Sequence, residues 1–201
     1  MPSEPLEILY DHYKDTFQII QKIIAQREKN FILAFLLLVA SLLLTLNPDI
    51  GLNYIKDIGQ EKLKINLNPT YFTINSVLLF TAIWYWVNYF QNILQIENLY
   101  TYIHRLEEQL CSMGEIKISR EGKSYLEYYP ILKNVIHKFY TIFTPLLLIA
   151  IISAKGYYEW FVEEDKIPLL SRIIDTVGIF FLIVSTVLYL SWIHFQDFKN
   201  N

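Results

Sequence analysis

The sequence predicts an all-α integral membrane protein with four transmembrane helices, amphipathic helical extensions on the cytosolic side and a small cytosolic hairpin. Three observations predict it. Residues 31–46 and 139–154 contain no charged side chain, and residues 70–90 and 173–193 come close to matching them. Hydrophobic residues make up 53% of the chain, while the 18% that are charged gather between the apolar runs. Backbone polar groups in hydrocarbon must be satisfied within their own segment, so runs of this length read as helices. A soluble domain of 201 residues has little use for four of them.

The first element, residues 1–30, reads as a cytosolic amphipathic helix. Leu6, Tyr10, Tyr13, Phe17, Ile20 and Ile24 recur at intervals of 4, 3, 4, 3 and 4, one apolar stripe of a helix, with Lys, Asp, Gln and Arg on the other faces. The first span, 31–46, is short for a hydrocarbon core of about 30 Å, so the upstream helix is expected to continue into it. An extracytoplasmic loop, 47–69, follows, bracketed by two Asn-Pro pairs and too short for an independent domain. The second span covers 70–92. It leads without a break into a cytosolic heptad helix, 93–114, in which Ile96, Leu99, Ile103, Leu106, Leu110 and Met113 recur at 3, 4, 3, 4 and 3. No Pro or Gly interrupts the chain between Thr70 and Met113, which allows one rod of about 65 Å ending at Gly114. The stripe and the seam fit two arrangements: a homo-oligomeric stalk, or packing on each other within one subunit.

Residues 115–130 form the candidate hairpin. Ile116 and Ile118 alternate with polar residues, Arg120 to Lys123 reads as a Gly-containing turn, and Pro130 closes the segment. Arg120, Glu121 and Lys123 at its tip are candidate partner contacts. The third span, 133–155, contains Thr144 beside Pro145, a candidate gating kink. A second extracytoplasmic loop, 156–171, carries Glu163, Glu164 and Asp165, adjacent carboxylates that read as solvated rather than as a cation site. The fourth span, 172–194, and a cytosolic tail, 195–201, complete the chain.

Orientation follows from Lys and Arg near the span ends. With both termini inside, eleven of the 17 lie in the cytosol and six outside, which orients a multi-pass chain N-in and C-in. The acidic, polar start lacks the basic and apolar regions of a cleavable leader. A net charge of −3 supplies no basic footprint for direct nucleic-acid binding. Within the spans the polar residues are few: Asn75, Ser76, Thr144, Asp175, Ser185 and Thr186, with Asp175 placed to pair with Arg172 or meet water near the outer interface. No chain of ionisable residues crosses the bilayer, which disfavours a proton-coupled transporter or a charged filter. The four histidines are scattered and Cys111 stands alone, so no catalytic constellation, metal site or cofactor is expected and the chain reads as a non-enzyme.

The opening DHYKDTFQIIQKIIAQREKNF before a leucine-rich span, together with ISREGKSYLEYYP and VIHKFYTIFTPLLL, resembles small multi-spanning membrane proteins associated with bacterial defence. These include the accessory membrane protein of type VI-B CRISPR loci, the Kiwa membrane subunit and SLATT-type effectors, the last usually having two spans. The resemblance implies an antiviral membrane component that oligomerises to perturb or permeabilise the inner membrane. The alternative is a non-conducting sensor or scaffold that binds and regulates a cytosolic effector protein. Its expected partners are the lipid bilayer, further copies of the chain and that effector.

Overall fold

The computed structural model describes residues 4–47, 71–114, 143–162 and 167–199, with Asn53, Asp57 and Gln60 as isolated helical positions. Among the described residues every regular element is a helix. Helix α1 (Glu4–Leu46) has 43 residues, and α2 (Tyr71–Gly114) has 44. Each is about 65 Å long at 1.5 Å per residue. The amphipathic segment and the first apolar run are therefore one helix. Nothing in Leu6–Leu46 breaks it, because Pro5 stands in the first turn, and it ends where Asn47 precedes Pro48. Asn47 donates its backbone N–H to Leu43 at 3.0 Å as the last bond. Likewise, the apolar and heptad parts of α2 form a single rod to Gly114.

Helix α3 (Thr144–Tyr157) continues through a π-helical turn, Tyr158–Val162, and α4 (Leu169–Lys199) starts after Pro168. The Pro168 carbonyl accepts from the N–H groups of Ser171 and Arg172 at 3.0 and 3.2 Å. The predicted loop 156–171 is thus corrected at both ends: residues 156–162 and 169–171 are helical. Lys155 ends the charge-free run, but a charge does not end a helix when its partner lies within reach. Thr144 and Pro145 stand in the first turn of α3, where a missing N–H costs nothing. Residues upstream of Phe143, which would form the other arm of a kink, lie outside the described residues, as do the hairpin 115–130 with Arg120, Glu121 and Lys123, and the run Glu163, Glu164, Asp165.

Among the described residues three helical stretches are long and apolar enough to cross a membrane: Leu6–Leu46, Thr144–Val162 and Leu169–Trp192. In α2, tyrosines, tryptophans and asparagines dilute the aliphatic residues of the first half.

The chain divides into two compact units. One comprises residues 1–30 with 88–141. In it Tyr13 and Ile20 of α1 bury against Ile103, Leu106 and Leu110 of α2, flanked by Leu6, Leu9, Phe17, Ile24, Leu99 and Tyr100. The N-terminal stripe and the heptad seam therefore pack on each other within one chain. Tyr10 and Met113 fall outside this core and are exposed, since a helix of 3.6 residues per turn drifts from a strict heptad, and Leu9 takes the inward place beside Tyr13. Tyr10 instead stacks on Tyr13 and lies under Lys14. Ile96 is buried outside that cluster. The Tyr13 hydroxyl donates to Glu107 Oε1 at 3.1 Å, giving this buried carboxylate a polar partner across the interface.

The other unit comprises residues 31–87 with 142–201. Leu38, Leu79, Trp86, Leu148, Ile152, Leu182 and Tyr189 fill its interior, and Phe31 meets Trp86 edge-to-face with ring centroids 5.8 Å apart. Its outer surface is also apolar: Ile32, Leu36, Val77, Trp84, Phe180 and Leu188 are exposed. Exposed hydroxyls are satisfied inside their own helices. Thr81 Oγ1 donates to the Val77 carbonyl at 2.6 Å, and Ser185 Oγ to the Phe181 carbonyl at 2.8 Å, the arrangement hydrocarbon demands. Gly178 lets α4 approach α2, since a Cβ there would lie 3.1 Å from Ile83 Cδ1 and 3.4 Å from the Phe80 ring. Gly178→Leu is expected to cost about 1–3 kcal/mol through overpacking, read as earlier unfolding in lipid nanodiscs.

Candidate functional site

Polar side chains from all four helices converge inside the second unit. They stand near the C-terminal end of α1, the N-terminal end of α2, the C-terminal end of α3 and the N-terminal end of α4. Ser41 Oγ donates to Asn75 Oδ1 at 2.6 Å. Asn75 Nδ2 donates to Thr45 Oγ1 at 3.0 Å and to Glu159 Oε1 at 3.3 Å. Thr45 in turn donates to the Ser41 carbonyl at 2.9 Å. Lys155 Nζ lies between two carboxylates, donating to Glu159 Oε1 and, at 3.1 Å, to Asp175 Oδ2. Ser76 Oγ closes the array by donating to Asp175 Oδ1 at 2.7 Å.

Local sequence explains the convergence. Lys155 and Glu159 are four residues apart, so they share a face, and the π-helical turn keeps Glu159 turned inward after α3 proper has ended. Gly156 lies one step from the ammonium, and a Cβ at this position would stand 3.5 Å from Ile179 Cδ1, so α3 and α4 run close together beside the ion pair. Lys155 and Glu159 are each 1% exposed and Asp175 is 3% exposed. Charges this deeply buried persist only when paired and hydrogen-bonded. An aromatic contact flanks the site: Trp160 Nε1 donates to Thr176 Oγ1 at 2.9 Å, and the Arg172 guanidinium lies over the Trp160 ring, 5.2 Å from its centroid.

Asp175, which the sequence places to pair with Arg172 or meet water, is buried and paired with Lys155 and Ser76. Asn75, Ser76 and Asp175, recognised separately as polar residues in apolar helices, are brought together. Thr186 donates to the Leu182 carbonyl at 2.8 Å and stays within its own helix. Lys155, Glu159, Ser41 and Thr45 were missed. Their signal was the i,i+4 Lys–Glu pair at the end of one apolar run, at the same depth as Asn75 and Asp175 in the neighbouring runs. No family model matches the chain, and no curated protein or solved structure matches it. The array can tie four helix ends together and hold charge away from water. Among the described residues no group of three or more His, Cys, Asp or Glu side chains is placed to hold a metal ion.

Proposed function

We propose that the chain is a four-span protein of the bacterial inner membrane, with both termini in the cytosol, acting as a non-conducting sensor or scaffold for a cytosolic effector. The observation that carries this reading is the burial of Ile103, Leu106 and Leu110 against Tyr13 and Ile20 in one chain, which uses up the seam that an oligomeric stalk would need. The filled interior of the second unit supports it, because a bundle packed with Leu79, Trp86, Leu148, Ile152 and Leu182 offers ions no path through a single subunit.

Four spans are supported by the company α2 keeps. Its Asn75 and Trp86 lie against Ser41 and Phe31 of α1, and its Ser76 against Asp175 of α4. A helix so enclosed by apolar helices shares their solvent. The polar array also joins alternate helix ends in chain order, as an up-down-up-down bundle requires. Exposed Ile8, Ile19 and Tyr102 in the first unit offer apolar surface to a partner protein. The resemblance to defence-associated membrane proteins supplies the setting, an antiviral system in which the effector is the partner.

Purified protein in liposomes holding a potassium gradient tests the reading. The gradient should decay no faster than in protein-free liposomes. Leakage rising with protein density would replace this reading with a membrane-perturbing oligomer whose conducting path lies between subunits.

A further inference from the structure

The array around Lys155 is out of charge balance. One ammonium faces two carboxylates, all three at most 3% exposed, so full ionisation leaves one negative charge without a counter-charge in the triad. The hydrogen bonds place that deficit on an atom. Glu159 Oε1 accepts from Lys155 and Asn75, Asp175 Oδ2 from Lys155, and Asp175 Oδ1 from Ser76. The fourth oxygen, Glu159 Oε2, is buried and has no hydrogen-bond partner among the described residues. A buried acceptor in this state bears its full desolvation cost.

We propose that the Lys155–Glu159–Asp175 triad is a proton-binding site, with Glu159 Oε2 as the atom that takes the proton. The proton enters from water at the end of the bundle where the array lies and leaves by the same route, forming and breaking only the O–H bond. Binding brings the triad from one net negative charge to neutrality. A metal cation is a poor substitute: Lys155 Nζ already occupies the position between Glu159 Oε1 and Asp175 Oδ2, and a second cation beside an ammonium is repelled. The groups facing Glu159 are Lys155 from α3, Asp175 of α4 across that same ammonium, and the uncharged Asn75 of α2, itself held by Ser41 and Thr45 of α1. Arg172 of α4 is engaged with the Trp160 ring.

Protonation has a mechanical consequence. A neutral Glu159 attracts Lys155 less, so the ammonium shifts its weight to Asp175, and the link from α3 through Asn75 to α1 slackens. The array thereby becomes a proton-dependent clamp on four helix ends. This goes beyond the sensor reading and holds whether or not the protein recruits an effector or conducts ions.

Infrared difference spectroscopy between alkaline and acidic states, on the full chain in lipid nanodiscs, tests the site directly. Exposed carboxyls exchange rapidly with D2O, whereas the wild type should show one protonated carboxyl band that exchanges slowly. Glu159→Gln should remove that band, and uniform 13C-labelling of glutamate in the wild type should shift it. The proposal is overturned if a slowly exchanging band survives in Glu159→Gln, or if it shifts with 13C-aspartate instead. Should Glu159→Gln fail to insert, the isotope experiment on the wild type decides alone: absence of a slow glutamate band overturns the site.

Discussion

Lys155→Met is expected to destabilise the second unit by about 3–5 kcal/mol. The lysine bonds both Glu159 and Asp175, and its removal leaves two carboxylates that shared one ammonium facing each other at full burial. Neither has water to turn to. The cost lies in the uncompensated charges and not in the lost contact, which a second variant makes measurable. In Lys155→Met/Glu159→Gln/Asp175→Asn the amide oxygens still accept from Asn75 and Ser76 while all three charges are gone. That triple variant should lie within about 1 kcal/mol of the wild type or exceed it, as replaced buried ion pairs commonly do. Unfolding in mixed micelles, followed by tryptophan fluorescence, gives both values. The single variant's loss should shrink as pH falls, because each proton taken up by a carboxylate removes part of the uncompensated charge. Equal stability of Lys155→Met and the wild type would mean that the triad does not hold the helices.

The helices were far more legible in the sequence than the site they build. The 4-3-4 intervals of Tyr13, Phe17, Ile20 and Ile24 and of Leu99, Ile103, Leu106 and Leu110 translate into the buried core of the first unit because periodicity reports which face of a helix is apolar. It does not report what covers that face, so a stalk and an intrachain pair looked alike. The absence of Gly and Pro in Leu6–Leu46 and Tyr71–Met113 marked each as one continuous rod. The triad was hidden by the criterion that finds spans. Lys155 ends the charge-free run and closes the predicted third span, while Glu159 falls in the predicted loop 156–171, although four residues between opposite charges suits helical continuation. Their third partner, Asp175, is 20 residues further along, and no local pattern joins it to Lys155. Ser41 and Thr45 were missed because hydroxyl residues in a leucine-rich helix ordinarily bond their own backbone, as Thr45 also does.

Leu106→Glu/Leu110→Glu is the second large effect, and its pattern separates the two uses of the seam. Both leucines lie in the core formed with Tyr13, Ile20 and Ile103, so the double variant places two carboxylates where aliphatic side chains were covered. Loss of a buried leucine alone costs about 2–5 kcal/mol, and an unpaired buried charge adds to it. The pairing of residues 6–24 with 99–110 should fail. Backbone amides there should lose protection in hydrogen exchange, and limited proteolysis should cut within 4–30. The second unit has its own core, with Leu38, Leu79, Trp86, Leu148, Ile152 and Leu182 buried, and should remain folded, with exchange in α4 unchanged. Subunit number in detergent, measured by light scattering, should not change either, because the seam is satisfied within each chain. A stalk predicts the reverse: dissociation of a multimer, with the N-terminal part of α1 as protected as before. Bacteria expressing the wild type alone should hold their membrane potential, and so should the double variant. Depolarisation by the wild type that vanishes in the variant would return the seam to an assembly-dependent effector.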